Sequence, residues 1–268
     1  MRQTIVFDLS NIAYICAHRA SNNFAEQVSA SEHLMLQIEI YMRSIYRNFK
    51  IKSDKDGSNI DYKVIFACDS DDNKYWRSSL FPDYKQNRPM TEIRQTVRDS
   101  IVLFIKKHPK LSIMTRGCEA DDVISVLAQV LPDNLDPDFK SNLVIVSTDR
   151  DFVQLISAKV RLYNPKDKRF RARSDSAEYE VFIKSIRGDS ADNIPSAYPY
   201  VTTKKLNKAF ADKALQEKLM DVILDNGSKV GDLYQRNRKL IDLNLLPDDL
   251  YDKIYVRVME FFAVTVNI

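Results

Sequence analysis

Nine acidic residues, spread over five stretches of the chain, have the types and spacing to bind divalent metal ions. They are Asp8, Asp69, Glu119, Asp121, Asp122, Asp149, Asp151, Asp189 and Asp192. Neighbouring carboxylates raise one another's pKa values, so such a cluster disfavours full ionisation unless cations are bound. Mg²⁺ prefers oxygen ligands, and two such ions about 4 Å apart can activate water and stabilise both the attacking and the leaving oxygen in phosphodiester hydrolysis. The residue types therefore point to metal-assisted hydrolysis.

Three apolar runs that each end in Asp indicate the elements that bring these acids together. The runs are TIVFD (4–8), KVIFACD (63–69) and LVIVSTD (143–149). Continuous runs rich in β-branched residues are typical of strands buried on both faces of a parallel sheet. Ligands of open parallel sheets bind outside the carboxyl ends of the strands. We therefore expect Asp8, Asp69 and Asp149 at one edge of a sheet, joined there by the acids of GCEADDVISVLA (117–128), which start a helix after a short strand.

Helical patterns alternate with the strands, and the alternation predicts an α/β fold with a mostly parallel central sheet flanked by helices. Helices are expected at 31–49 (with a Ser cap), 92–107, 119–131, 176–186 and near 201–226 and 247–263, and short strands at 111–114 and 159–163. Loops are expected at 55–59 and 132–142. We place a boundary near residue 174, between an α/β domain (1–174) and a helical C-terminal domain (175–268).

Composition excludes several classes of protein. The 268 residues are 44% hydrophobic, as expected for one large globular domain or one domain with a small appendage, and the net charge of +3 says little about partners. Three widely spaced cysteines disfavour a disulfide framework or a cysteine zinc site. No apolar run has the length of a signal peptide or a membrane span, so we expect a cytoplasmic protein that does not bind membranes.

A basic segment follows the second predicted strand. Residues 74–116 hold ten Lys or Arg against three acids, and aromatic residues alternate with the charges in KYWRSSLFPDYKQNR (74–88). Single-stranded nucleic acid is bound in this way, with cations on phosphates and rings stacked on bases, although a solvated helix face gives the same pattern. A second basic run, KDKRFRAR (166–173), fits either contact with duplex phosphates or an exposed hairpin.

Each acid also has an ordinary structural explanation. A single Asp at a strand end is usually a turn or cap residue, and acids in a first helical turn, such as Glu119 and Asp122, are favoured by the helix dipole. Helical spacing also places Asp121 on a different side from Glu119 unless the helix begins late. The whole set is much harder to explain by chance than any member of it.

The order of the motifs resembles the flap-endonuclease or 5′-nuclease family, and in particular its phage RNase H and 5′-3′ exonuclease type. The resemblance spans residues 1 to about 210. It rests on CDSDDNKYWRSSLFPDYKQNR, CEADDVISVLA, VSTDRDFVQL and IRGDSADNIPS, in this order after Asp8. It implies a PIN-like nuclease fold whose helical C-terminal region contains a helix–turn–helix DNA clamp.

The activity that the resemblance implies is that of a metal-dependent, structure-specific 5′-3′ exonuclease and flap endonuclease of replication or repair. Its substrates would be branched, nicked or flapped duplex DNA and RNA–DNA primers, and a phage gene would place it in the host cytoplasm. We also expect a monomer that meets replication proteins such as a single-strand-binding protein.

The resemblance assigns roles to individual residues. The first of two Mg²⁺ sites, which Mn²⁺ would also fill, would use Asp8, Asp69, Glu119, Asp121 and Asp149. The second would use Asp151, Asp189 and Asp192, with Asp122 nearby. Lys85 and Arg88 would contact the scissile phosphate, Tyr84 would stack on the terminal unpaired base, and Arg77, Lys204 and Lys205 would bind nucleic acid. Residues 74–110 would form or flank an arch over the active site.

One block departs from the family pattern. The family commonly follows D-N-I-P with a Gly-x-x-Gly-x-Gly-x-Lys segment, whereas this chain has SAYPYVTTKKL (196–206), without glycine. Glycine permits tight turns and close approach of the backbone to phosphate, so its absence argues against a bound monovalent ion at the clamp. Two other functions stay open: a non-catalytic relative that binds flaps or duplex DNA, and an acid-cluster ribonuclease.

Overall fold

The chain divides into two compact units that do not follow its linear order. The computed structural model describes residues 2–20, 29–58, 60–71, 74–134, 142–173 and 177–264. The sheet unit comprises Met1–Tyr75, Met90–Arg173 and Pro247–Ile268, and the helical unit comprises Trp76–Pro89 and Ser174–Leu246. The expected boundary near residue 174, and most of the expected loop at 132–142, lie outside the described residues.

A six-stranded sheet forms the centre of the sheet unit. Its strands are β1 (Arg2–Asp8), β2 (Asp61–Cys68), β3 (Ser112–Met114), β4 (Asn142–Val146), β5 (Val160–Asn164) and β6 (Arg169–Phe170). The order is β3-β2-β1-β4-β5-β6, with the first five strands parallel and β6 antiparallel to β5. The five predicted strands are confirmed, and β1 and β4 are fully buried where they are richest in Val and Ile, as a sheet covered on both faces requires.

Ten helices connect and extend the strands within the described residues. They are α1 (Leu9–Ala20), α2 (Ala30–Lys55), α3 (Trp76–Leu80), α4 (Glu92–Lys107), α5 (Ala120–Asn134), α6 (Ala177–Arg187), α7 (Thr203–Ala211), α8 (Lys213–Met220), α9 (Val230–Ile241) and α10 (Asp248–Val264). None of them, over the ranges described, combines the length and apolarity that crossing a membrane requires.

Several helix boundaries differ from the predicted ones. The cap of α2 is Ser29 rather than Ser31, because Ser29 and Glu32 form a reciprocal capping box. The same helix continues to Lys55, so it includes the first residue of the loop expected at 55–59. The single helix expected near 201–226 is two helices, since the side chain of Asp212 accepts hydrogen bonds from the Ala214 and Leu215 amides and starts a new helix.

Helices cover both faces of the sheet. The helices α1, α2 and α4 pack with Phe7, Phe66 and Val144 in one apolar core. On the other face α5 contacts β1, β2, β3 and β4, and α10 packs against α5. This two-sided cover leaves the ends of the strands as the accessible part of the sheet.

The helical unit is built around α6 and α9. Phe182, Ile186 and Tyr234 meet in its core. The fully buried Asn237 of α9 donates hydrogen bonds to the carbonyl oxygens of Ser185 (3.0 Å) and Pro195 (2.8 Å). These bonds hold the chain that leaves α6 against α9, and they satisfy backbone groups that would otherwise be buried without a partner.

Gly188, which follows α6, gives a test of this packing. Its φ is +78°, and a Cβ built on it would lie 2.3 Å from the carbonyl oxygen of Ile194. Gly227 has a similar φ of +81° but nothing within 4 Å of its Cβ position, so it is a matched control.

We expect Gly227→Ala to lower the free energy of unfolding by about 1 kcal/mol through backbone strain alone. Gly188→Ala should cost about 3 kcal/mol or more, because backbone must also move. Urea unfolding measures both, and equal losses would contradict the predicted close approach.

Candidate metal centre and basic turn

Seven of the nine acids lie in the sheet unit, at the carboxyl edge of the sheet. Asp8 ends β1, Asp69 directly follows β2, and Asp149 lies three residues beyond β4. The strand order reverses between β1 and β4, which is the point where open α/β sheets bind their ligands. We call the set Asp8, Asp69, Glu119, Asp121, Asp122, Asp149 and Asp151 the carboxylate rim.

Asp8 is the buried centre of the carboxylate rim. Its side chain is 5% exposed. Its Oδ1 accepts a hydrogen bond from the Asn11 amide (3.1 Å), and its Oδ2 accepts one from the Ser147 hydroxyl (2.9 Å). Burial raises the pKa of Asp8 to about 7; the two hydrogen bonds oppose this rise, and the charges of Asp69 and Asp149 add to it. Asp69 and Asp149 are therefore close enough to Asp8 to disfavour its ionisation.

Asp69 links the two helices that begin at the rim. Its Oδ1 accepts a hydrogen bond from the Ala120 amide at the start of α5 (2.8 Å), and its Oδ2 accepts one from the Ser10 hydroxyl in the first turn of α1. An acid that receives an amide at a helix start is also favoured by the helix dipole. The position of Asp69 is thereby fixed relative to both helices.

The acids of the GCEADD stretch lie at the start of α5. Glu119 and Asp122 are buried, and Asp122 Oδ2 accepts a hydrogen bond from the Glu119 amide (2.9 Å). Asp122 therefore has the ordinary structural role of an acid in the first turn of a helix. The helix begins at Ala120, so Glu119 precedes it and helical spacing does not separate Glu119 from Asp121. Asp121 is partly exposed.

The acids after β4 are held by a turn. Asp149 is exposed, and its Oδ1 accepts a hydrogen bond from the Asp151 amide (2.8 Å), while its own amide donates to the Ser147 hydroxyl (3.0 Å). Asp151 begins a short 3₁₀ helix, Asp151–Leu155. Ser147 thus contacts both Asp8 and the backbone of Asp149.

Three polar residues that sequence reasoning did not single out position the rim. They are Ser10, Asn11 and Ser147. Asn11 also donates to the Thr148 hydroxyl (2.9 Å) and accepts from the Thr148 amide (3.0 Å), which ties α1 to the chain beyond β4. The sequence pattern that could have identified them is the presence of hydroxyl and amide residues next to strand-end acids, in DLSN (8–11) and STD (147–149).

The donor chemistry of the rim fits a hydrated hard cation. Across the described ranges, no three His, Cys, Asp or Glu side chains are grouped as the direct ligands of one ion. Mg²⁺ usually keeps several waters and takes only one or two carboxylates directly, so a looser ring of carboxylates suits it. The buried Asp8 and the other acids of the rim supply the negative charge that such an ion would balance.

Asp189 and Asp192 belong to the helical unit, where both are ion-paired. Asp189 lies 2.8 Å from Lys184 Nζ, and this hydrogen bond and charge outweigh the effect of burial, so its pKa is lowered. Asp192 pairs with the Arg88 guanidinium, and its Oδ2 lies 4.0 Å from Lys85 Nζ. Lys85 and Arg88 are thus brought together around one carboxylate.

Two expected nucleic-acid contacts are structural residues instead. Tyr84 is 5% exposed and packs with Ile194, Leu240 and Ile241, so its ring is not available to stack on a base. Arg77 is 2% exposed, and its Nε donates to the Leu240 carbonyl oxygen (3.1 Å), which ties α3 to α9. Both expectations are corrected by burial.

The remaining expected contacts are partly or fully exposed. Lys204 and Lys205 are exposed in the first turn of α7, and Lys205 donates to the Tyr198 hydroxyl (3.1 Å). The expected arch segment, 74–110, contains α3, a turn over 82–87 and α4. Val97 and Phe104 of α4 are buried in the sheet core, so this helix is part of the sheet unit.

Comparison with known proteins finds relatives that are named as nucleases. The chain is 33% identical over 129 residues to flap endonuclease Xni of Shewanella pealeana, covering 45% of this chain and 48% of that protein. It is 24% identical over 216 residues to ribonuclease H of Enterobacteria phage T4, covering 72% of this chain and 68% of that protein. The chain thus spans about half the length of the first relative.

A solved structure shares the fold. A flap endonuclease of bacteriophage T5, crystallised with DNA and metal ions, superposes with a TM-score of 0.62 at 18% identity, covering 97% of this chain and 99% of that chain. A protein-family model described as 5'-3' exonuclease, N-terminal resolvase-like domain, matches residues 12–186. Because that match covers more than half of the chain, the protein belongs to the 5'-3' exonuclease family that carries this N-terminal resolvase-like domain.

Proposed function

We propose that the protein is a divalent-metal-dependent 5′-3′ exonuclease and flap endonuclease that hydrolyses phosphodiester bonds near a 5′ end of branched or nicked duplex DNA. The observation that carries the proposal is the meeting of Asp8, Asp69 and Asp149, from three separate strands, at the switch point of the sheet. Relatives named as flap endonuclease and ribonuclease H support the reaction class. The relative with DNA and metal ions in its crystal supports the substrate and the cofactor.

The electrostatics of Asp8 support a bound cation. At neutral pH the apo protein must hold a proton on Asp8 or accept the repulsion of Asp69 and Asp149. A divalent ion stabilises the ionised form of all three carboxylates, so it would replace this proton. Metal binding and proton release are then coupled.

The proposed roles follow from this charge balance. Two Mg²⁺ ions, or Mn²⁺ in their place, would lower the pKa of bound water and polarise the phosphate. Asp8, Asp69, Glu119, Asp121 and Asp149 would hold the first ion, some through water. Ser147, Ser10 and Asn11 keep their carboxylates oriented by the hydrogen bonds described above. A second site using Asp151, Asp189 and Asp192, with Asp122 nearby, stays a prediction.

Two cations of the helical unit have proposed roles in the same reaction. Lys85 and Arg88 would stabilise the negative charge that develops on the scissile phosphate. The pair α7–α8, joined by the Asp212 cap, is proposed as the duplex clamp, with the exposed Lys204 and Lys205 on phosphates. The same proposal includes a two-domain division near residue 174, an arch near the turn that carries Lys85 and Arg88, a monomeric state and docking to replication proteins.

A product map tests the function directly. A flap duplex labelled at its 5′ end would be incubated with the protein in Mg²⁺ and in chelator, and the products separated by length. Release of the flap and of short 5′ products in Mg²⁺ alone is expected. A mobility shift without products would indicate a non-catalytic binder, and cleavage restricted to an RNA 5′ strand would indicate a ribonuclease.

Asp149→Asn should abolish cleavage while binding of the flap duplex stays close to that of the wild type. The amide keeps the size of the side chain but removes the charge that the ion requires. Asp61→Asn is the matched control, because Asp61 begins β2 at the opposite end of the sheet. Single-turnover cleavage and gel shift measure the two properties, and cleavage by Asp149→Asn at the wild-type rate would refute the assignment.

The stability of the metal-free protein should fall as pH rises through the range from about 4 to about 7. The folded protein holds a proton on Asp8, whose pKa is about 7, whereas the unfolded chain releases it near 3.8, the ordinary pKa of Asp. Stability contributed by this proton is complete below the lower value and is lost as pH approaches the upper one, with a slope of at most about 1.4 kcal/mol per pH unit.

Urea unfolding in chelator at several pH values measures this slope. Asp8→Asn should flatten it, whereas Asp61→Asn should keep it. Mg²⁺ should stabilise the wild type more at pH 7.5 than at pH 5, since the ion and the proton compete for the same carboxylate. Identical pH profiles for the wild type and Asp8→Asn would show that Asp8 is not the buried acid of the rim.

A further inference from the structure

The cationic pair Lys85 and Arg88 lies on a turn without regular secondary structure. Residues 82–87 form turns, and Arg88 follows them. Lys85 itself has φ of 58°, in the left-handed region that residues other than glycine rarely adopt. A conformation of this kind persists only where the surroundings over-determine it. Contacts around Lys85 must therefore impose this left-handed conformation.

Tyr84 fixes only one end of this basic turn. Its ring is buried against Ile194, Leu240 and Ile241, and its hydroxyl donates to Asp192 Oδ2 (3.3 Å). A buried ring anchors a chain at one residue but leaves the following backbone free to rotate. The cationic residues come after the anchor, so other contacts must set their direction.

Those contacts come from the acidic loop, which we define as Gly188 to Ile194. The Asp192 side chain accepts hydrogen bonds from the Tyr84 hydroxyl and the Arg88 guanidinium. Four further hydrogen bonds join the acidic loop to the basic turn: Lys85 N to Asp192 O (2.9 Å), Asn87 Nδ2 to Ser190 O (2.7 Å), Arg88 Nε to Ala191 O (3.1 Å) and Asn193 Nδ2 to Asp83 O (2.8 Å). Only the last is donated by a side chain of the acidic loop. The other three are accepted by backbone oxygens of the acidic loop, so no side-chain substitution within that loop removes their acceptors.

The acidic loop is itself closed and tight. Asp189 and Ile194 exchange backbone hydrogen bonds of 2.9 and 2.8 Å, and the absent side chain of Gly188 allows the strands of the loop to approach. Asn193 occupies the left-handed region at φ 59°, ψ 30°, which Asn tolerates better than most residues. This conformation directs its amide away from its own loop to the basic turn.

We infer that Asn193 is a positioning residue for the cleavage reaction, which sets Lys85 and Arg88 by holding the basic turn at Asp83. The inference rests on the proposed function, because it assigns those two cations to the scissile phosphate. Asn193 touches neither cation; it fixes the backbone that carries them. A displacement of about 1 Å in a group that stabilises a reacting phosphate can lower the rate about 100-fold.

Asn193→Gly is the principal test variant, since glycine retains the left-handed backbone and removes only the side chain. Asn193→Asp is the second, because it retains the size and the turn preference of Asn but has no N–H to donate. Both should lower the single-turnover cleavage rate at least 10-fold in Mg²⁺ while KM for the flap duplex stays within about twofold. Asn226→Gly is the control; its side chain serves another turn of the same unit, accepting from the Ser228 amide (3.0 Å).

A double-mutant cycle separates positioning from a general structural role. In a protein already carrying Lys85→Ala and Arg88→Ala, Asn193→Gly should cause no further loss of rate, because the groups that it positions are gone. A loss of the same size in both backgrounds would overturn the inference. Wild-type rates in both Asn193 variants would overturn it too.

A readout without activity distinguishes failure of the inference from failure of the proposed function. Hydrogen exchange of the backbone amides in 83–88, measured on the full chain without DNA, should become faster in Asn193→Gly and stay unchanged in Asn226→Gly. Unchanged exchange in Asn193→Gly would overturn the inference whatever the enzyme cuts. A wild-type protein that cuts no flap in Mg²⁺ would overturn the proposed function, and faster exchange would then still show that Asn193 holds the turn.

Discussion

Repulsion between carboxylates that the backbone forces together is the constraint on which this structure depends. Three parallel strands end at the same level of the sheet, and the chain puts an acid at or just beyond the end of each. Burial raises the pKa of Asp8 most, and the charges of Asp69 and Asp149 raise it further. A fold selected only for stability would place an amide or an aliphatic residue there. An acid at this position is explained if its negative charge balances the positive charge of a ligand.

The negative charge of the two acids in the helical unit is balanced by cations of the same unit. Asp189 has Lys184 and Asp192 has Arg88, so the helical unit neutralises its acids with neighbouring cations. In the sheet unit, Asp8 and Asp69 accept hydrogen bonds from neutral donors of Ser10, Asn11 and Ser147. The ion pairs of the helical unit and the neutral hydrogen bonds of the sheet unit affect carboxylate charge differently. Neutral donors orient a carboxylate but leave its charge uncompensated, whereas a paired cation compensates that charge.

The sequence predicted the sheet and the rim well because their signals are local. A β-branched run followed by Asp specifies both the strand and the acid at its end, so Asp8, Asp69 and Asp149 were placed from the pattern alone. The helix α1 was missed since FDLSNIAYICA (7–17) continues an apolar strand into an apolar helix without a break in composition. Tyr84 and Arg77 were misjudged because aromatic and cationic residues give the same pattern on a binding surface and in a core. Their burial depends on Leu240 and Ile241, which lie more than 150 residues further along the chain.

The interleaving of the two units has a consequence for any attempt to separate them. The chain passes between the units four times, at 75–76, 89–90, 173–174 and 246–247. Ile254 and Val258 of α10 are fully buried, and this helix covers α5. A fragment ending near residue 174 would lack that cover and would carry α3 without the α9 residues that enclose it. The sheet unit is therefore not a module that a single cut can detach.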